Sequence, residues 1–412
     1  MSFLRAARAA RAGQSGLRGD LRRRFAAGAI MILVFALALL FVSCSTSKAV
    51  APNHSAYVTL PDDGSVLMLQ INGTTGAIST GAQTPQVQGT SPTGLALLST
   101  KKFLYAANSR ANTISTFSVN GDGTLRLAGT PIQGREADGP NAAVIDPSEQ
   151  YLFVTNNFSN NISVFQIDSG TGVLTEVPNS PFYANLNPTD LVFTPSGQFV
   201  YVTNPGLGMV TGFVFCPLPT SGPPCTPTSS VLTQVSGSPV LSGSGAASLV
   251  VDSSGRFLYV ANVSASNPPP NANTVGNISG FNIDSGSGVL TPINGSPFTS
   301  VDGSGPSTLV IAPNTPLVYA MTPGTSFSIW CFTIDQTIGP TSGQLVEEPS
   351  SPFSLAAGGL FAVFDPSANY LYVGSNSGIN AYTYDQSTGT PTILTGSPFS
   401  TGVSPGKMVF LQ

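Results

Sequence analysis

One short segment recurs seven times along this chain of 412 residues, and no other feature limits the fold so strongly. Its clearest copy is Phe199-Val200-Tyr201-Val202-Thr203-Asn204. Equivalent anchors fall at Tyr57, Tyr105, Phe153, Tyr201, Tyr259, Tyr319 and Tyr372, spaced 48, 48, 48, 58, 60 and 53 residues apart. Each is followed by Val or Ala. A unit of about fifty residues made only of short strands and turns is the signature of a propeller blade, which buries its faces only against its neighbours.

Each repeat reads as four strands. The first is led by Pro or a small residue, as in Pro92-Thr93-Gly94-Leu95, Pro140-Asn141-Ala142-Ala143 and Pro188-Thr189-Asp190-Leu191. A turn such as Asp146-Pro147-Ser148 leads to the Tyr-Val strand, and a third strand follows (Ile162-Ser163-Val164-Phe165). A hairpin such as Asp168-Ser169-Gly170 then precedes a fourth strand ending in Ser-Pro-Phe. The chain begins its repeats on a second strand, at Tyr57, and ends on a first strand, Pro405 to Leu411. The last strand is therefore expected to complete the first blade and remove the final free sheet edge. The expected fold is all-β: a seven-bladed β-propeller of four-stranded antiparallel blades over residues 56–412, closed by the C-terminal strand joining the first blade.

Composition supports this. Only 8% of residues are charged, against roughly 25% in soluble domains, while Gly and Pro number 44 and 34. Such a composition also suits disorder, but regularly spaced apolar strands supply surface to bury. The first 25 residues hold seven Arg and one Asp; the remainder carries 8 Lys or Arg against 18 Asp or Glu. That acidic balance repels phosphate backbones, so no nucleic-acid partner is expected.

Residues 1–44 read as a targeting segment, with 45–55 a spacer. Arg22-Arg23-Arg24 precede an uncharged apolar run from Phe25 to Val42. Leu40-Phe41-Val42-Ser43-Cys44 resembles the lipobox of bacterial lipoproteins, with Phe41 where Leu is usual. Arg22-Arg23-Arg24-Phe25 also resembles a twin-arginine export signal, with Leu21 where Ser or Thr is usual. Lipidation at Cys44 is expected, with an uncleaved signal anchor as the alternative. Either places the propeller outside the cytoplasm, tethered to a membrane (periplasm or cell surface), and a monomer is expected. Cys216 and Cys225 are close enough to bridge a hairpin, which export permits. Cys331, in a strand after Trp330, reads as a buried apolar residue. A second insertion, Asn262 to Asn277, lengthens the connection between the second and third strands of the fifth repeat.

Tyr201-Val202-Thr203-Asn204, Phe153-Val154-Thr155-Asn156 and Tyr259-Val260-Ala261-Asn262 resemble the YVTN repeat of seven-bladed propellers. From Pro-led first strand to Ser-Pro-Phe exit, residues 55–412 are similar to the lactonase (6-phosphogluconolactonase-like) family. The resemblance implies chemistry on a sugar or carboxylate lactone at the mouth of the central channel. Many members carry His two residues after the Pro of a first strand. Here those seven slots hold Gly94, Ala142, Asp190, Ser248, Thr308, Phe361 and Lys407, and the single His, His54, is read as preceding the first strand.

Lactone opening needs a base for water and a cation or donor for the developing oxyanion. Asp190 and Lys407 are the charged slot residues and hence the catalytic candidates, as base and electrostatic clamp. The alternative is a pair of charges that stiffens the ring or lines a wet channel. Arg110 and Arg135, with Asn141, Ser248 and Thr308, are candidate ligand-binding residues. Asp168, Asp284, Asp335 and Asp385 alternate with Asn72 and Asn120, which fits turn-capping side chains rather than a carboxylate site. The buried-looking Asn108, Asn156, Asn204 and Asn262 read as structural too. No cofactor is expected: the chain lacks a zinc or haem ligand set and a phosphate-cradling Gly loop. Calcium on backbone carbonyls stays open. The sequence thus supports two functions. One is a binding propeller for a glycan, peptide, partner protein or small lactone; the other is a lactone hydrolase with a His-free site.

Overall fold

The structure is a computed structural model and describes residues 53–411, apart from 86–89, 101, 218–224, 226–229, 264–275, 300–304, 324–326 and 356–358. The targeting segment with Cys44, and most of the 262–277 insertion, lie outside the described residues.

Apolar side chains point to both faces of every second strand, so these strands need a neighbour on each side. The chain supplies one by wrapping seven antiparallel sheets into a ring. Blade 4 shows the plan: Leu191–Phe193 innermost, then Phe199–Asn204, Met209–Phe215 and Leu232–Gln234 at the rim. The second strands Phe103–Asn108, Tyr151–Asn156, Phe199–Asn204, Phe257–Asn262 and Tyr370–Ser375 are buried along their whole length. Seven apolar clusters result, one at each junction between adjacent blades.

The ring closes as expected. Met408–Leu411 pairs with His54–Leu60, matching Ser55 with Leu411, Tyr57 with Val409 and Val58 with Met408. The Thr59 amide adds a 2.9 Å bond to the Lys407 carbonyl. The first strand of the ladder starts at His54, which pairs with Ile71. This corrects two expectations: the spacer does not extend to residue 55, and His54 lies inside the first blade. The partner strand Ser65–Ile71 is seven residues long, and its last rungs would otherwise be unpaired.

Four strands per blade is the rule, with one refinement. At the Ser-Pro-Phe exits the rim strand breaks and resumes. Phe182–Tyr183, Val240–Leu241 and Phe353–Ser354 then form short fifth strands against the third strands of blades 3, 4 and 6. The repeated Ser has a defined job here. Its hydroxyl accepts a third-strand amide: Val164 to Ser180, Gly212 to Ser238, Gly280 to Ser296, Cys331 to Ser351 and Ala381 to Ser397.

The repeated Tyr joins blade to blade. Its hydroxyl donates to a hairpin Gly carbonyl of the next blade: Tyr57 to Gly123, Tyr105 to Gly172, Tyr201 to Gly288, Tyr259 to Gly343, Tyr319 to Gly389 and Tyr372 to Gly76, all between 2.6 and 3.1 Å. Each Gly has positive φ. A Cβ at Gly172 or Gly288 would lie 2.4 Å from the ring of Phe103 or Phe199. In blades 1, 3, 5, 6 and 7 the Asp or Asn opening the hairpin caps it, as Asp168 does for the amides of Gly170 and Thr171, while in blade 2 Asp122 accepts the Thr124 amide. Blade 4 alone has a different connection here, held by a disulfide between Cys216 and Cys225 with Cα atoms 5.6 Å apart.

Candidate functional site

Seven innermost strands stand around a channel. Its upper half, at the end where these strands begin, is a cavity of about 550 Å³ lined by all seven blades. Asn141, Asp190, Ser248, Thr308 and Lys407 all line it, so five of the seven candidate ligand or catalytic residues converge there.

Most of that polarity is already used within the ring. Thr93 donates its hydroxyl to the carbonyls of Pro140 and Asn141, and Asn141 Nδ2 donates to the Thr189 carbonyl at 3.1 Å. The Asp190 carboxylate accepts the Leu191 amide at 3.0 Å and the Leu249 amide of the next blade at 3.4 Å. Ser248 Oγ accepts the Leu309 amide at 3.3 Å. These bonds form a polar hoop from blade 2 to blade 6. Register shifts at Pro92/Gly94, Pro140/Ala143 and Ala246/Ser248 open the ladder at three of the points where the hoop passes.

Lys407 differs. It is exposed to the channel, its backbone is pinned to Thr59, and its ammonium has no partner among the described residues. Asp190 and Lys407 share the cavity without forming an ion pair. Thr308 likewise keeps an unpartnered hydroxyl. The Gly94 slot shows why a larger residue is absent there: a Cβ would lie 2.4 Å from the Asn141 carbonyl oxygen.

The two arginines do not join this group. Arg135 pairs with Glu176 of the blade 3 rim strand at 3.2 Å and donates to the Val177 carbonyl at 2.9 Å. Arg135 is thus tied to the blade 3 rim strand and lies outside the cavity lining, apart from the other ligand-binding candidates. Arg110 is an exposed turn residue outside the cavity lining.

The turn carboxylates keep to their turns. Asp168 is held below the usual carboxylate range by hydrogen bonds from the Thr171 amide and hydroxyl, and Asp284 by the Ser287 hydroxyl and amide. Asn156 and Asn262 are buried and donate to neighbouring side chains of their own blades. Among the described residues no three His, Cys, Asp or Glu side chains cluster to hold a metal ion.

One part of the channel was not anticipated. Below the slots lies a second cavity of about 710 Å³, lined chiefly by Leu95, Leu97, Val144, Val363, Val409 and Phe410. It shares Leu95, Ala143, Val144 and Lys407 with the upper cavity, so the two are continuous. A partial signal was present: two residues after the slots of four blades stand Ala96, Val144, Val363 and Val409, which line this cavity.

A closed ring of seven antiparallel sheets around a central channel defines a seven-bladed β-propeller. The particular family follows from comparison. The profile described as "Lactonase, 7-bladed beta-propeller" matches residues 53–348, and the chain belongs to that family. No functionally curated protein matches the chain. Among solved structures, it is similar to the periplasmic gluconolactonase PpgL of Pseudomonas aeruginosa, at 17% identity and TM-score 0.69 over 88% of this chain and 99% of that one. It is also similar to a candidate 6-phosphogluconolactonase of Bacteroides uniformis, at 18% identity and TM-score 0.68 over 87% and 99%. A Lactobacillus plantarum protein gives 16% identity and TM-score 0.69 over 88% and 100%. At these identities the likeness is one of fold.

Proposed function

We propose that this protein binds a small carboxylate-bearing sugar ligand or its lactone in the upper cavity, as a monomeric propeller tethered to a membrane outside the cytoplasm. The carrying observation is the Lys407 ammonium. It is unpartnered in a cavity whose Asn141, Asp190 and Ser248 are tied to neighbouring blades. A carboxylate, or the carbonyl of a lactone, supplies the missing partner, with Thr308 as a neutral donor beside it. Tethering rests on the Arg-rich leader, the apolar run and Leu40-Phe41-Val42-Ser43-Cys44. Among the described residues no helix is long and apolar enough to cross a membrane.

Family membership favours a second reading, lactone hydrolysis, in which Lys407 holds the developing oxyanion and Asp190 activates water. Both Asp190 oxygens already accept amides, which favours binding over catalysis.

Calorimetry and acid release with gluconate, glucono-1,5-lactone and their 6-phosphates separate the two. Binding predicts saturable association weakened about tenfold by Lys407→Met, the scale of a charge-assisted hydrogen bond, with no acid release beyond the spontaneous rate. Catalysed acid release abolished in Asp190→Asn establishes the hydrolase instead. Metabolic labelling with palmitate, lost in Cys44→Ala, tests the anchor.

A further inference from the structure

Polar slots and an apolar shaft occupy opposite ends of one channel, and a single lysine stands where they meet. The upper cavity carries Asn141, Thr189, Asp190, Ser248 and Thr308. The lower is lined mostly by apolar residues, among them Leu97, Ile145, Val363, Val409 and Phe410, with Ser99, Asp146, Glu149 and Asp365 also in its lining. Lys407 belongs to both linings. The carboxylates near the lower end are not free to demand a cation. Asp146 is buried and accepts the amides of Ser148, Gln150 and Tyr151, while Glu149 accepts the Ser99 amide. Asp365 is held in the same way by Ser367, Asn369 and Tyr370.

The stretch of its wall formed by Leu97, Val144, Val363, Val409 and Phe410 offers water few hydrogen-bond partners. From Lys407 to Phe410, the part of the blade 1 innermost strand that lines this cavity, the chain spans about 10 Å, at roughly 3.3 Å per residue. That depth suits an extended alkyl chain of medium length.

We infer that the channel takes an amphipathic carboxylate, or the lactone of a hydroxylated one. The head group sits on Lys407 among the slots, and the alkyl tail runs down the valine-lined shaft. This deepens the proposal above and rests on its assignment of Lys407. The polar half orients the head, and the apolar half supplies affinity in proportion to tail length. Val144, Val363 and Val409 are half-buried and present apolar surface that a tail would cover.

The test uses the purified protein and straight-chain carboxylates from butanoate to decanoate, titrated below their micelle concentrations. Affinity should rise by about fourfold per added methylene, the burial free energy of one CH2 written as a ratio. Lys407→Met should weaken every member by the same factor, about tenfold, and leave that slope intact. Leu97→Gln, in the lower cavity alone, should flatten the slope without moving the butanoate affinity; its melting temperature should stay near that of the parent. Lys407-dependent binding of gluconate with no chain-length dependence among the alkyl acids overturns this inference and leaves the reading of the upper cavity standing. A chain-length slope indifferent to Lys407→Met overturns the head-group placement. Absence of binding by both series, in protein that melts cooperatively, removes both.

Discussion

Phe153 replaces the recurrent tyrosine at one of seven junctions, and its neighbour explains why. Six Tyr hydroxyls find a hairpin Gly carbonyl on the next blade. In blade 4 the Cys216–Cys225 disulfide stands at the corresponding connection, and among the described residues no hairpin Gly faces position 153. A hydroxyl at 153 would lose its acceptor, and the ring instead meets Phe193 and Phe215 edge-on at 4.9 and 5.1 Å. Opposite substitutions should therefore both destabilise. Tyr259→Phe should cost about 1–3 kcal/mol by orphaning the buried Gly343 carbonyl. Phe153→Tyr should cost about 1–3 kcal/mol by burying an unpaired hydroxyl in a filled site. Urea denaturation measures both, and a stabilising Phe153→Tyr would refute the argument. Burial also raises the phenols: Tyr57 is pushed up to about 12, and Tyr105, Tyr201, Tyr259, Tyr319 and Tyr372 are raised further. A folded pKa above the unfolded value gives stability that is complete below about pH 10 and lost as pH rises from there toward the folded pKa. Alkaline unfolding should set in above about pH 10, followed by tyrosinate absorbance at 295 nm.

At the scale of the hairpin, two devices do the same work. Most blades close their third and fourth strands with an Asp or Asn that accepts turn amides; blade 4 closes them covalently. Asp122, Asp168, Asp284, Asp335 and Asp385 are all held below the ordinary carboxylate range, chiefly by hydrogen bonds from the Thr and Ser residues that follow them. A lowered folded pKa gives stability present above the unfolded value near 4 and lost as pH falls through the folded one. Denaturation midpoints should hold steady down to about pH 5 and drop below about pH 4. Asp168→Asn should blunt that drop, since Asn72 already fills the same role in blade 1. Reducing the disulfide, or replacing Cys216 and Cys225 with Ala, should cost about 2–3 kcal/mol for a loop this short. A matching shift in the melting temperature on adding reductant checks it.

For the molecule as a whole, closure is the decisive contact. Met408 and Phe410 enter the cluster between blades 7 and 1, and their strand covers the edge of His54–Leu60. Deleting residues 408–412 removes two buried side chains worth about 2–5 kcal/mol each and exposes a ladder of unpaired amides. The shortened protein should elute as oligomers or aggregates, with a broadened melt at lower temperature. A monomer melting like the parent would show that the ring stands without its closing strand. Lys407 sits at the head of this strand, so the same contact that seals the ring also fixes the candidate binding cation.

The repeat carried the architecture because its cause is local. Tyr-Val alternation, Asp-Ser-Gly hairpins and Ser-Pro-Phe exits each specify a strand or turn through nearby residues, and their count sets the blade number. The slot register was legible because the first strands repeat in phase and the family resemblance marks one position in each, so Asn141, Asp190, Ser248, Thr308 and Lys407 could be placed at one mouth. Their duties were not legible. Whether Asp190 is free or bonded to the Leu249 amide depends on how closely the fourth and fifth blades approach, and that distance belongs to the ring. That Arg135 would be tied to Glu176, apart from the cavity, was not legible because a loop has no periodicity to read. The fusion of a polar mouth with an apolar shaft at Lys407 likewise exists only once seven distant strands converge. Sequence determined the blades and their order; three-dimensional packing decided which polar groups the neighbouring blades consume and which, Lys407 and Thr308, are left without a partner among the described residues.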